Sequence, residues 1–228
     1  MTNAERLQAN NSALRECIGI AEDLPNVGDG SGGSCDYSSE DDLITGDSKV
    51  YRNDRVTSVW EYSFYMHSAL EEINLPNVTK VGGYAFYKSV NLKSVNLPSL
   101  ITLEIQALRM CTSLIAVNFP NLTGTLSTYI LDGCTNLQRA DFTNVDALAS
   151  NSMNGCSALD TLILRRQDKI VSMQGVYAIR GTLIASGTGY IYVPKLLIET
   201  YKSATNWSTY ASQFRAIEDY PNITGGIS

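Results

Sequence analysis

The segment Val78–Ser99, with the sequence VTKVGGYAFYKSVNLKSVNLPS, decides the fold because its pattern recurs on both sides of it. Val56–Asn77 and Leu100–Asn121 align with it without gaps, and all three units end in Pro followed by Asn or Ser. Leu122–Asn144 fits with one inserted residue, and a further unit begins at Val145. Such self-similarity at a fixed period predicts a stack of repeats.

Each repeat contains a short strand of the form L-x-x-V-x-L-P, as at Leu92–Pro98. Because side chains alternate along a strand, the pattern predicts that the apolar positions point inward and the polar positions between them point outward. Pro98 has no N–H to donate, so it ends the strand. The other half of the repeat carries a second apolar set that includes Val81 and Phe86. One repeat cannot bury both sets alone, so neighbouring repeats must stack.

The sequence therefore predicts an α/β solenoid of about five repeats of 22 or 23 residues, with parallel strands on one face. We assign the repeat array to residues 50–193. Residues 1–25 have the apolar spacing of a helix, and residues 26–49 form a linker rich in Gly, Ser and Asp. Residues 194–228 form a helical cap and tail. The apolar side chains expected to close the open end of the stack are Trp207, Tyr210, Phe214 and Ile217.

The unit Val78–Pro98 resembles the BspA-like (Treponema-type) leucine-rich repeat, which has an I-G-x-x-A-F-x-x-C-x-x-L core followed by L-P. One position of the repeat is occupied in turn by His67, Ser89, Cys111, Cys134 and Cys156. The three cysteines match the family's cysteine, and the other two residues depart from it. The C-terminal segment is similar to the one that closes many such proteins from gut Firmicutes and their prophages, and the N-terminal region is similar to the start of short phage-encoded proteins of the same group. The resemblance implies a leucine-rich-repeat solenoid that binds other molecules and catalyses no reaction.

The candidate catalytic and metal-binding residues have simpler structural explanations. His67 is the only histidine, so a Ser-His-Asp or Cys-His mechanism would have to use it. Its place in a column with Ser and Cys favours a structural role at a tight turn. Gly28, Gly30 and Gly33 spell GxGxxG, but without the strand and helix that nucleotide binding needs on either side. We therefore predict that the protein is not an enzyme and uses no metal or cofactor.

The charge of the chain narrows the class of partner. The 228 residues carry a net charge of −6 with a pI near 4.8, and the basic residues form no cluster. We therefore expect no nucleic-acid partner, because phosphate binding needs grouped Lys and Arg. No segment is apolar for long enough to span a membrane, and the N-terminus lacks a signal-peptide core. We expect synthesis in the cytoplasm, with incorporation into a virion as one destination.

Two faces of the predicted solenoid are candidate binding surfaces. The outer side of the strands is the usual extended binding surface of solenoids. Its candidate residues are Glu72, Asn74, Ser94, Asn96, Asn118, Arg139, Asp141 and Thr161. The opposite face is rich in tyrosine, which offers a large contact area at low entropic cost. Its candidate residues are Tyr62, Tyr65, Tyr84, Tyr87 and Tyr129. Both sets also have a structural explanation, as a polar ladder beside the Pro turn and as packing between repeats.

Two functional hypotheses follow. The first is a recognition component of a phage or prophage virion or tail, in which the N-terminal helix anchors the chain or joins it into a homo-oligomer. The second is a bacterial cell-surface adhesin of the same repeat family, which would carry an export signal or a wall anchor. Both hypotheses describe a binding protein whose ligand is a protein or a glycan.

Overall fold

The computed structural model describes residues 49–224. The predicted N-terminal helix, the linker up to residue 48 and the GxGxxG glycines lie outside this range. Within it, the chain forms a stack of coils, each contributing short strands. The strands are β1 (Val50–Arg52), β2 (Ser58–Val59), β3 (Glu72–Asn74), β4 (Lys80–Val81), β5 (Ser94–Asn96), β6 (Thr102–Leu103), β7 (Ala116–Leu126), β8 (Arg139–Leu148), β9 (Thr161–Leu164), β10 (Ser172–Met173), β11 (Tyr190–Val193) and β12 (Phe214–Ala216).

All strand pairs are parallel, as the repeat pattern predicts. β1, β3 and β5 form one sheet, and β2, β4 and β6 form a second. From the third coil onward, the longer strands β7 and β8 begin a third sheet, which continues through β9 and β11 to β12, with β10 beside β8. Equivalent repeat positions lie opposite each other, for example Glu72 opposite Ser94 and Ile73 opposite Val95. The columns deduced from the sequence alignment are therefore real columns in space.

The two apolar sets of each repeat meet inside the coil. Leu92 and Leu97 come from the strand half, Val81 and Phe86 come from the other half, and all four are buried. Phe86 also stacks on Phe64 of the preceding coil, with 4.9 Å between ring centroids. Full burial of side chains of this size contributes about 1.5–3 kcal/mol each, so stacking the coils is what stabilises them.

In five successive coils, two positions four residues apart have a left-handed backbone. In the first coil φ is 60° at Tyr62 and 54° at Met66. The same pair recurs at Tyr84 and Lys88, Gln106 and Met110, Tyr129 and Gly133, and Asn151 and Gly155. This conformation costs about 1–2 kcal/mol at a residue other than glycine. Hydrogen bonds between coils offset the cost, such as the one from the Phe64 N–H to the Ala85 carbonyl at 2.7 Å.

The stack continues past Leu164, the point at which the sequence pattern weakens. β10 pairs with β8, and the Met153 N–H donates to the Ala178 carbonyl of the following coil at 2.8 Å. Gly181 (φ 75°) then repeats the left-handed position of Gly155 (φ 72°). The described residues therefore contain one more coil than the clean repeats indicate.

Helical segments close the C-terminal end, as predicted. They are helix α1 (Ile198–Ser203) and short 3₁₀ segments at Lys195–Leu197, Ser208–Gln213, Ile217–Asp219 and Pro221–Thr224. The Val171 N–H donates to the Tyr201 hydroxyl at 2.8 Å, and the Val171 carbonyl accepts from the Trp207 indole N–H at 2.7 Å. Both aromatic side chains are fully buried. The cap thus supplies hydrogen-bond partners to backbone groups at a strand edge that would otherwise lack them.

Candidate binding surfaces

The column of Ser and Cys side chains links each coil to the one before it. Ser89 Oγ donates to the Phe64 carbonyl at 2.8 Å, and Cys111 Sγ donates to the Phe86 carbonyl at 3.1 Å. Cys134 and Cys156 make the same contact with the carbonyls of Leu108 and Leu131. His67 shares this position in the first coil, and its ring lies 6.3 Å from the Phe64 ring. The Ser and Cys side chains of this column therefore each bond to the backbone of the preceding coil.

Burial makes the cysteines of this column poor nucleophiles. Cys111, Cys134 and Cys156 are fully buried and form no disulfide. Loss of solvation raises the pKa of the Cys111 and Cys134 thiols well above the usual value of 9.0. Because the thiolate is the reactive form, these side chains are inert in the folded chain.

Four of the five candidate tyrosines form a stacked square on the face opposite the candidate strand surface. Tyr62 stacks on Tyr84 with 5.1 Å between ring centroids, and Tyr65 stacks on Tyr87 with 5.2 Å. Tyr62 also meets the edge of Tyr65 within its own coil. Tyr129 lies two coils further along, under the Arg109 guanidinium at 4.7 Å. The structure therefore places Tyr129 apart from the square.

A polar ladder continues this face from the tyrosine square towards the C-terminus. The Gln106 amide donates to the Tyr84 hydroxyl at 2.8 Å, and Arg109 donates to both Gln106 and Asp132. Asn154 donates to the other Asp132 oxygen at 2.7 Å and accepts from Arg180 at 2.9 Å. The polar groups named here are thus occupied by one another. We call this set, with the four stacked tyrosines, the turn-face ladder.

The strand face begins with paired charges and an asparagine ladder. Arg52 pairs with Glu72 at 2.6 Å, and the Asn96 amide donates to the Asn74 side-chain oxygen at 2.8 Å. Ser94 and Asn118 are exposed, and neither side chain makes a hydrogen bond to another described residue. Five of the predicted residues therefore lie together on this part of the face, and two of them have polar groups free to bind a ligand.

The sheet on the strand face is interrupted between the second and third coils. The Leu75 N–H donates to the Asn96 carbonyl at 3.0 Å, whereas within residues 49–224 Leu97 makes no equivalent bond to Asn118. β5 and β7 accordingly belong to different sheets. The coil shape changes at this point, because β7 runs through the Pro120 turn at which the earlier strands end. Val95, predicted to be buried, is half-exposed at the interruption.

A groove of about 570 Å³ lies over this interruption. It is bounded by β3, β5 and β7, and we call it the strand-face groove. The residues that line it include Glu72, Asn74, Ser94, Asn96, Ala116 and Asn118 from the strands and Lys93, Pro98, Ile115 and Pro120 from their ends. The strand-face groove therefore unites the five predicted residues from the N-terminal half of this face.

The remaining three predicted residues lie towards the C-terminal end of the strand face, where side chains and the tail cover part of it, and the prediction of an exposed position is wrong for Asp141. Asp141 is buried and accepts two hydrogen bonds from Arg165, at 2.7 and 2.6 Å, and a third from Arg139 at 3.0 Å. Arg139 also donates to the Ile223 carbonyl in the C-terminal tail. Thr161 is half-buried and donates to Asp160 at 2.7 Å. Periodicity alone could not reveal this cover, because the tail is outside the repeats.

Residues 49–224 contain no cluster of three or more His, Cys, Asp or Glu side chains placed to hold a metal ion. None of the helices in this range is both long enough and apolar enough to cross a lipid bilayer.

Comparison with known proteins places these coils in a family. A family model described as BspA type leucine rich repeat region matches residues 48–175 in six copies. The chain belongs to this family. The six BspA-type copies exceed the roughly five repeats counted from the sequence. The chain is thus a leucine-rich-repeat scaffold.

Solved structures of two other leucine-rich repeat proteins are similar to this BspA-type chain. A leucine-rich repeat protein from Eubacterium ventriosum is 22% identical with a TM-score of 0.47, over 56% of this chain and 34% of that one. A leucine rich cell surface protein from Faecalibacterium prausnitzii is 17% identical with a TM-score of 0.33, over 63% of this chain and 56% of that one. This chain therefore covers less than two thirds of either protein. A search of curated proteins found no match.

Proposed function

We propose that this protein is a non-enzymatic recognition protein that binds its ligand in the strand-face groove. The observation that carries the proposal is the contrast between the two candidate surfaces. On the turn face, the side chains from Gln106 to Arg180 are hydrogen-bonded to one another and to the Tyr84 hydroxyl. The strand-face groove instead presents the free side chains of Ser94 and Asn118 beside half-exposed Val95. Unused hydrogen-bonding groups around a concave surface are typical of binding sites.

A pair of matched variants tests which face binds. Ala116→Arg places a long side chain in the groove at a position that Arg139 occupies one coil later, so the coil tolerates arginine there. Thr125→Arg makes the same change at an exposed position of the same strand, outside the groove. The full chain would be screened against protein and glycan arrays. We expect Ala116→Arg to abolish binding of the ligands found and Thr125→Arg to leave it unchanged. Binding that survives Ala116→Arg but is lost in Tyr87→Ala would refute the proposal in favour of the turn-face ladder.

Two biological settings suit such a protein, and the family resemblance suggests both. We favour a recognition component of a phage or prophage virion or tail, in which residues 1–25 anchor the chain or join copies of it. Deleting these residues should then change the molar mass of the assembly measured by light scattering. An unchanged monomeric mass would remove this anchoring role. A cell-surface adhesin is the alternative, and the full gene should then encode an export signal or a wall anchor.

A further inference from the structure

The strand-face groove has polar groups and little net charge. Each charged side chain that lines it is paired with an opposite charge: Glu72 with Arg52 at 2.6 Å, and Lys93 with Glu71 at 2.6 Å. The remaining polar lining consists of Asn and Ser, and the apolar lining includes Ile115, Pro98 and Pro120. The groove therefore offers an anionic or cationic ligand no unpaired charge among its lining residues. An uncharged ligand with both polar and apolar parts fits this lining better.

The polar groups of the groove match those of a peptide backbone. The carboxamides of Asn74, Asn96 and Asn118 each carry an N–H donor and a C=O acceptor, as a peptide group does. Asn74 and Asn96 already bond to each other, with the Asn96 amide donating at 2.8 Å. Asn118 is the next member of the column and lies free at the interruption. None of the lining residues is aromatic, so the groove lacks the flat faces against which the C–H groups of sugar rings pack.

The tail of this chain, which contains two short 3₁₀ segments, covers part of the same face. Tyr220 packs edge-to-face on Tyr192 of β11, with 5.4 Å between ring centroids. Three residues later, the Ile223 carbonyl accepts a hydrogen bond from Arg139 of β8. The tail thus crosses the strands and runs back along the solenoid. Arg139 is directly opposite Ala116, which lines the groove, so the groove continues the surface on which the tail lies.

We propose that the strand-face groove binds a short, extended and uncharged peptide segment of a partner protein, laid across β3, β5 and β7. The inference rests on the proposed function and specifies its ligand. Three strands spaced about 4.8 Å apart span about 10 Å, which is the length of about three extended residues. Asn118 and Ser94 bond the peptide backbone, and the apolar rim at Ile115 and Pro120 receives an aliphatic side chain.

The test uses the full chain, an array of random 12-residue peptides and a glycan array. We expect peptide hits that share an uncharged core of about three residues. Asn118→Ala should weaken these hits about fivefold or more, as expected for loss of one or two neutral hydrogen bonds. Asn136→Ala, which alters an exposed asparagine away from the groove, should not change them. Affinity should change less than about twofold between 50 and 500 mM NaCl, because no net charge is screened.

The outcomes separate this inference from the proposed function. Glycan hits that are lost in both Ala116→Arg and Asn118→Ala would overturn the peptide ligand and leave recognition in the groove intact. Charged peptides whose affinity falls steeply with salt would also overturn it. Peptides or glycans whose binding is lost in Tyr87→Ala but kept in Asn118→Ala would overturn both proposals. A peptide array without any hit sensitive to Asn118→Ala would count against the peptide ligand.

Discussion

Arg109 in the third coil donates a hydrogen bond to the carboxylate of Asp132 in the fourth coil, with 2.9 Å between Nε and Oδ2. The other carboxylate oxygen accepts from Asn154 in the fifth coil at 2.7 Å. One largely buried acid therefore joins three consecutive coils. Each coil of a solenoid contacts only its neighbours, so such a link acts on the interfaces that determine stability.

Asp132→Ala should lower the free energy of unfolding by about 1–3 kcal/mol, because it leaves Arg109 and Asn154 without their shared partner. Urea unfolding followed by circular dichroism would measure the change. Asp54→Ala is the control, since that side chain is exposed and makes no bond to another described residue. Equal stability of the two variants would show that the turn-face ladder contributes nothing.

The Gly82-Gly83 pair offers a test of how closely the coils approach. A Cβ added at Gly82 would lie 2.5 Å from the Glu61 backbone nitrogen, whereas one at Gly83 would meet nothing nearer than 3.4 Å. Gly82→Ala should therefore force neighbouring coils apart and destabilise the fold by about 1–3 kcal/mol, as overpacking does. Gly83→Ala should cost much less. Thermal unfolding of the two single variants would decide, and a larger loss in Gly83→Ala would contradict the geometry.

The buried thiols predict a pH effect on stability. Burial raises the pKa of Cys111 above its usual value of 9.0, so in the folded chain the thiol stays protonated at a pH where the unfolded chain releases the proton. The unfolded state then binds fewer protons, and stability is lost as pH rises above about 9. Cys111→Ser should show a shallower loss between pH 8 and about 10.5 in urea unfolding. Parallel pH profiles for the two proteins would disprove a contribution from this thiol.

The sequence was sufficient to predict the parts of the fold that repeat. The period near Val78–Ser99 predicted parallel coils, and the columns it defined match the register of Glu72 with Ser94. It also placed the cysteines at one structural position. The left-handed backbone at Tyr84 and Lys88 could not be predicted, because residues other than glycine rarely adopt a positive φ.

The candidate site depends on departures from the repeat, which periodicity does not describe. The groove exists because β5 and β7 do not belong to one sheet. No single residue of the L-x-x-V-x-L-P pattern predicts this break. Asp141 occupies the same column as Asn118, yet it is buried, because Arg139 and Arg165 converge on it. The inserted residue near Gly124 coincides with register shifts between β7 and β8 and does not mark the break between β5 and β7. The break itself is visible only in the packed structure.

The C-terminal cap yields the last prediction. The Val171 N–H has the Tyr201 hydroxyl as its acceptor, and the Val171 carbonyl has the Trp207 indole as a donor. Tyr201→Phe keeps the buried ring and removes only the acceptor, so it should cost about 1–3 kcal/mol, the penalty for an unsatisfied buried N–H. Tyr210→Phe is the matched control, because its hydroxyl bonds to no other described residue. Hydrogen exchange adds a local readout: the Val171 amide should exchange faster in Tyr201→Phe and at the original rate in Tyr210→Phe. Unchanged protection of Val171 in Tyr201→Phe would mean that the cap covers the end of the stack without bonding to it.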